Sequence, residues 1–291
     1  MHLRPLSAVA TLAALIGCAP RRAGAPTPAG AAPAAAVPPA TSRPSDVVRL
    51  GPSALRYVLR QEIHAEQEFP GQTRTIDRGV RLFVSATITG PADSVGYPLT
   101  FTIDSIVPDS GTAIPPTVNF AASRGLRYTG RLAPTGEFRN PVPSDSARAQ
   151  AFAQIAGGFV RTFFPRLPGG GATLGAEWTD TVMTTDRTVV EVTSRSLSHA
   201  RAVAWEQRSG ARCLRIEVAA TYTLAGAGEQ GGQPLEVAGS GTRATVQFVA
   251  ADGRYVGGEF RDSSAIVITL PMQGAKVPVR QISRYTVTVL P

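Results

Sequence analysis

From Val47 to Pro291 the chain alternates apolar and polar residues in runs long enough to leave few folds open. Val80, Leu82, Val84, Ala86 and Ile88 fall on one side of an extended strand, with Arg81, Ser85, Thr87 and Thr89 on the other. Tyr57, Leu59 and Ile63 share a face against Arg60, Glu62 and His64, and Tyr97, Leu99, Phe101 and Ile103 form a third apolar face. Leu214, Ile216, Val218, Ala220, Tyr222 and Leu224 line up against Arg215, Glu217, Thr221 and Thr223. A period of two belongs to strands, because successive side chains leave a strand on opposite sides. One face apolar and the other wet is the signature of antiparallel sheet. The stretches 242–250, 256–270 and 277–290 repeat the pattern, and Ala251-Asp252-Gly253 reads as a hairpin turn. Roughly a dozen strands are expected on this pattern.

One segment breaks the rhythm. Asp145 is a capping residue after Pro143-Ser144, and Phe152, Ile155, Phe159 and Phe163 then recur at helical spacing before Pro165. The spacing predicts one amphipathic helix over 145–164, its four apolar side chains facing a groove. Gly157-Gly158 within it costs about 1 kcal/mol per glycine, which suggests a kink or a close approach to the sheet. The expected fold is mainly β: a large curved antiparallel sheet, half-barrel-like, with one amphipathic helix. The helix divides the β-rich domain, 47–291, into halves of about 47–143 and 168–291. Gly136-Glu137-Phe138-Arg139-Asn140 echoes Gly258-Glu259-Phe260-Arg261-Asp262, which hints at internal duplication.

The N-terminal residues read as an address. Arg4 precedes an apolar stretch from Leu6 to Ile16 that is too short to span a bilayer, the layout of a secretory signal over residues 1–17. Leu15-Ile16-Gly17-Cys18 resembles the lipobox of bacterial lipoproteins. That resemblance implies acylation of Cys18, which becomes the mature N-terminus and anchors the chain in a membrane. Stable anchoring takes two or more acyl chains, and the family carries two or three. Ala19 rather than Asp after the cysteine is compatible, in that family, with the periplasmic face of an outer membrane. Residues 19–46 are dominated by alanine and proline and read as a semi-rigid tether, reaching at most roughly 85 Å at about 3.1 Å per residue.

Lipobox, tether and a large sheet with a helix between its halves together resemble the lipid-carrying envelope lipoproteins and Lol-type lipoprotein carriers. Those families wrap a half-barrel sheet around helices and hold acyl chains in the concavity. The layout also resembles uncharacterised β-rich lipoproteins with a Gly-x-x-Trp strand start, here Gly175-Ala176-Glu177-Trp178. Two functions follow as expectations. In the first, the domain binds a hydrophobic ligand or lipid in the groove under the helix. In the second, it is a structural or interaction lipoprotein that meets an envelope protein and holds no ligand cavity.

Chemistry is sparse. His64 lies on the polar face of its strand beside Glu62, and His199 sits in Ser196-Leu197-Ser198-His199-Ala200, which reads as a turn. No His-Glu-x-x-His spacing and no Gly-x-Ser-x-Gly elbow occurs, so neither a metal site nor a serine hydrolase is expected. The glycine-rich run Gly169-Gly170-Gly171 lacks a phosphate-binding lysine, reads as a flexible connection, and implies no cofactor. Asp104 and Asp109 read as turn residues, and Cys213 falls on the wetter face of its strand. An enzyme is not expected. The net charge of +8 rests on 29 Lys and Arg against 21 Asp and Glu, nearly all the cations being arginine spread over strand faces. With an export signal, that charge reads as surface beside an anionic membrane and not as a nucleic-acid site.

Overall fold

The structure is a computed structural model that describes residues 46–69, 71–112, 120–152, 158–187, 190–230 and 232–291. Leu15, Ile16, Gly17 and Cys18, the tether to residue 45, and Ile155 of the expected helix lie outside the described residues. No described helix is long and apolar enough to cross a membrane.

Eleven strands form one antiparallel sheet. Five precede the helical segment: β1 (Ser53–Phe69), β2 (Gln72–Ile88), β3 (Tyr97–Pro108), β4 (Leu126–Leu132) and β5 (Phe138–Pro143). After α1 (Ser146–Phe152) and α2 (Gly158–Thr162) come β6 (Glu177–Arg187), β7 (Val190–Arg208), β8 (Ala211–Gln230), β9 (Gln233–Ala250), β10 (Tyr255–Leu270) and β11 (Ala275–Val289). Each half is a meander, and β1 pairs with β11 to join them, giving the order β5-β4-β3-β2-β1-β11-β10-β9-β8-β7-β6. The sheet stays open, with β5 and β6 at its edges.

Burial follows the alternation. Leu82, Val84, Ala86 and Ile88 are buried on β2, as are Leu99, Phe101 and Ile103 on β3. The Ala251–Gly253 turn forms as expected, with the Gly253 N–H donating to the Ala250 carbonyl at 2.8 Å. Two other expectations are corrected. His199 lies within β7, where it pairs with Thr179 on one side and Ala219 on the other. Pairing on both edges overrides the turn preference of the serines around it. Asp104 likewise lies within β3, accepting from the Ser85 hydroxyl at 2.7 Å.

Of the expected single helix, the described residues hold two short pieces, α1 and α2, and residues 153–157 lie outside the described residues. Asp145 caps α1, its carboxylate accepting from the Arg148 N–H at 2.9 Å. α2 begins at Gly158, the second residue of the glycine pair. The connection from α2 to β6 is held at several points and does not swing free. Leu167 donates to the Thr135 carbonyl at 2.9 Å, and Val48 and Ala172 exchange two hydrogen bonds of 2.8 Å. The echoed pentapeptides occupy different places: Gly136 turns the β4–β5 hairpin with φ +84°, whereas Gly258 sits inside β10.

Gly136 is where this connection meets the sheet most tightly. A Cβ added there would overlap the carbonyl of Pro165, and the backbone already lies in the left-handed region. Gly136→Ala is therefore expected to cost roughly 2–4 kcal/mol from strain and overlap together. Chemical denaturation of the purified variant reads it directly; a loss under 0.5 kcal/mol would show that the turn and the connection are not in contact.

The core divides along the strands. Its larger part lies under the helices, where Tyr57, Leu59, Phe101, Phe152, Phe163, Phe164, Leu214 and Tyr255 are buried together. A smaller part, at the far hairpin tips, gathers the strand residues Leu224, Val237, Ile268, Leu270 and Val277. Between them the core face turns polar. On β10, Asp262 and Ser264 separate Phe260 from Ile266; on β11, Gln281 and Ser283 separate Val279 from Tyr285.

Candidate functional site

Among the described residues, the aromatic side chains under the helices pack against one another. Phe163 packs edge-on against Tyr57, Phe101, Phe159 and Phe164, with ring centroids 5.0, 5.1, 5.3 and 5.1 Å away. Tyr255 closes the cluster at 5.5 Å from Phe163, and its carbonyl accepts the Tyr57 hydroxyl at 3.0 Å. Phe152 and Phe163 are each 2% exposed, and Phe159 is half-buried. Edge-to-face geometry is the favoured arrangement of aromatic quadrupoles. Phe159 and Phe163, expected to face a groove, meet rings of the sheet itself, Phe101 for both and also Tyr57 and Tyr255 for Phe163.

Open volume lies on the opposite side of the sheet. A trough of about 850 Å³ runs across the strands from β6 to β1. Register explains its lining. Thr181, Leu197, Thr221, Thr242, Ser263, Ile282 and His64 form one row of mutual cross-strand neighbours. Arg195, Thr223, Ser240, Ala265, Arg280 and Glu66 form the next. All of them alternate with core residues, so they leave the sheet on the face away from the helices. Six hydroxyls from these rows line the trough, with Arg195 and Leu197 near one end and His64, Glu66 and Arg280 at the other.

His64 is oriented by carboxylates. Its Nδ1 lies 2.8 Å from Asp77 Oδ1, the residue directly opposite on β2, and its Nε2 lies 3.6 Å from Glu66. Glu62, the neighbour suggested by sequence, instead pairs with Arg60 at 3.3 Å. The hydrogen bond to Asp77 raises the His64 pKa, against a smaller opposing effect of burial. The stabilisation from this pair is complete below the ordinary histidine pKa of about 6.5 and fades as pH rises through the higher folded value. A histidine NMR titration is expected to place His64 above the ordinary histidine value, and Asp77→Asn to bring it down; an unchanged value in that variant would exclude the pairing.

A second, shallower hollow of about 590 Å³ lies beside the first on the same face, lined by His199, Arg201, Glu217, Glu259 and Arg261. Arg201 pairs with Glu177 at 3.2 Å. Cys213 is fully buried in a small cluster with Phe248 and Ala250, and burial raises its thiol pKa. A raised pKa and no access leave it inert. Among the described residues no group of three or more His, Cys, Asp or Glu could hold a metal ion.

The polar band across the core was not anticipated from sequence. Asp262 is completely shielded from solvent, and its Oδ1 accepts the Tyr222 hydroxyl at 3.0 Å. Arg243 reaches its Oδ2 through Nε at 2.8 Å and Nη2 at 2.7 Å. The Arg243 side chain is 32% exposed, so water screens it, and burial pushes the Asp262 carboxyl up to about 9. The signal was present in the sequence as phase: Asp262, Ser264, Gln281 and Ser283 sit where the alternation of β10 and β11 calls for apolar residues.

No family model matches this chain, and no curated protein matches it. Among solved structures, it is similar to OccK2 (OpdF) of Pseudomonas aeruginosa, at 8% identity and a TM-score of 0.27, over 82% of this chain and 98% of that one. It is also similar to the outer membrane protein OmpT of Vibrio cholerae, at 6% identity and a TM-score of 0.20, over 82% of this chain and 100% of that one. Scores this low place the chain in neither group.

Proposed function

We propose that this chain is a membrane-anchored lipoprotein of the bacterial envelope, and that its β domain is a non-catalytic interaction module whose exposed trough meets an envelope protein. Acyl chains on Cys18 supply the anchor, at the periplasmic face of the outer membrane, and residues 19–46 hold the domain away from the bilayer. The anchor rests on the sequence Leu15-Ile16-Gly17-Cys18. The interaction reading is supported by one observation: among the described residues, aromatic rings pack together under the helices, while a large open volume lies on the hydroxyl-lined face. A carrier of acyl chains needs an apolar cavity to hold them. A docking face needs accessible polar and apolar groups together, and the trough has hydroxyls, guanidiniums and an exposed Leu197.

Two measurements test the two parts. Labelled palmitate fed to cells is expected to enter the wild type and not Cys18→Ser; equal labelling would overturn the anchor. Organic extraction of the purified chain, followed by mass spectrometry, is expected to release no stoichiometric lipid beyond the attached acyl chains. A lipid recovered at one per chain would restore the carrier reading.

A further inference from the structure

The two edges of the sheet are built differently. β5 is short, ends in Pro141 and Pro143, holds Asn140 at φ 50°, and meets β4 through an irregular register. Those are the devices that keep a sheet edge from pairing with another chain. β6 has none of them. It runs eleven residues, Glu177–Arg187, without proline or lysine, and its register with β7 is unbroken throughout. Among the described residues no strand pairs with its outer edge. Its exposed side carries Met183, 69% exposed, diagonal to Leu197 on β7, 55% exposed.

The strand is also self-complementary. Read antiparallel about Val182, residue 177 stands opposite 187, 179 opposite 185, and 181 opposite 183. Thr179 thus meets Thr185 and Thr181 meets Met183, pairs that oppose no like charges. Directly opposite residues of an antiparallel pair share a face. Pairing two copies therefore sets Thr181, Met183 and Leu197 of each on one continuous surface.

We propose that β6 is a homodimerisation edge: two copies of this chain pair their β6 strands antiparallel about Val182, joining two sheets into one and running the trough of one copy into that of the other. Each copy then contributes Met183 to the rim of its partner's trough. A two-fold contact of this kind closes on itself and does not propagate into fibres.

The test uses the full chain, purified from membranes in detergent, with its mass measured by sedimentation. The wild type is expected to be a dimer at micromolar concentration. Thr181→Lys with Met183→Lys opposes lysines at the two-fold and is expected to weaken association at least tenfold without loss of folding, since both side chains are exposed. Thr181→Glu with Met183→Lys places opposite charges together and is expected to restore the dimer, which a mere folding defect would not do. Oxidation of Val182→Cys should link 182 to 182 in the peptide map. A monomeric wild type, a dimer indifferent to the lysine pair, or a β6 edge found paired with a different envelope protein would each overturn the proposal.

Discussion

Phe163→Ala is expected to lower the stability of the domain by about 3–5 kcal/mol, the usual cost of removing a fully buried phenylalanine. Phe163 touches rings from β1, β3, α2, the segment after α2, and the start of β10, so its loss opens space where both halves of the sheet meet the helical segment. Neighbours anchored on several strands cannot all move in to fill that space, which keeps the cost high. Phe163→Leu retains most of the volume and is expected to cost under about 1.5 kcal/mol. Phe159→Ala, at a half-buried position on α2, should fall between them. Denaturant unfolding measures all three. A Phe163→Ala cost below 1 kcal/mol would mean the rings do not pack as a unit, and would reopen the case for a groove.

Asp262 is expected to tie the stability of the domain to pH over an unusually wide range. Its carboxyl is pushed up to about 9 in the fold, whereas an unfolded chain ionises it near 4. Between those values the folded protein holds a proton that the unfolded chain has released. Stability must therefore fall as pH rises from about 5 toward 9, with a slope of at most about 1.4 kcal/mol per pH unit from this one group. Asp262→Asn mimics the neutral acid, keeps an oxygen for Tyr222, and is expected to flatten the slope. Stability curves of wild type and variant at pH 5, 7 and 9 should converge at pH 5 and diverge at pH 9, the variant being the more stable there. A variant that is less stable at pH 9 would show that Arg243 holds the carboxylate ionised.

The sequence carries the strands but not their closure. Val80 to Ile88 and Leu214 to Leu224 announce strand, phase and buried face at once, because a period of two has only one structural reading at that length. How far the sheet curls is set by contacts between strands far apart in sequence. Part of the apolar alternation is satisfied within the sheet itself: Leu224, Val237, Ile268 and Val277 pack together at the hairpin tips. The segment around His199 reads as a turn because serines stand on either side of it, while its strand character comes from β6 and β8. The trough was equally hidden. Thr181, Thr221, Thr242, Ser263 and His64 are unremarkable solvent-facing residues until register sets them in one row. The polar band was legible as an error of phase, and a polar residue at a core position marks a place where a fold departs from simple patterning.

The account turns on which side of the sheet meets other molecules. Site-specific photocrosslinking in intact cells decides it, with the reactive group placed at Thr242 in the trough or at Phe159 against the aromatic cluster. Thr242 is expected to yield a reproducible protein adduct and Phe159 only links within the chain. Lipid adducts at Phe159, with none to protein at Thr242, would contradict the account.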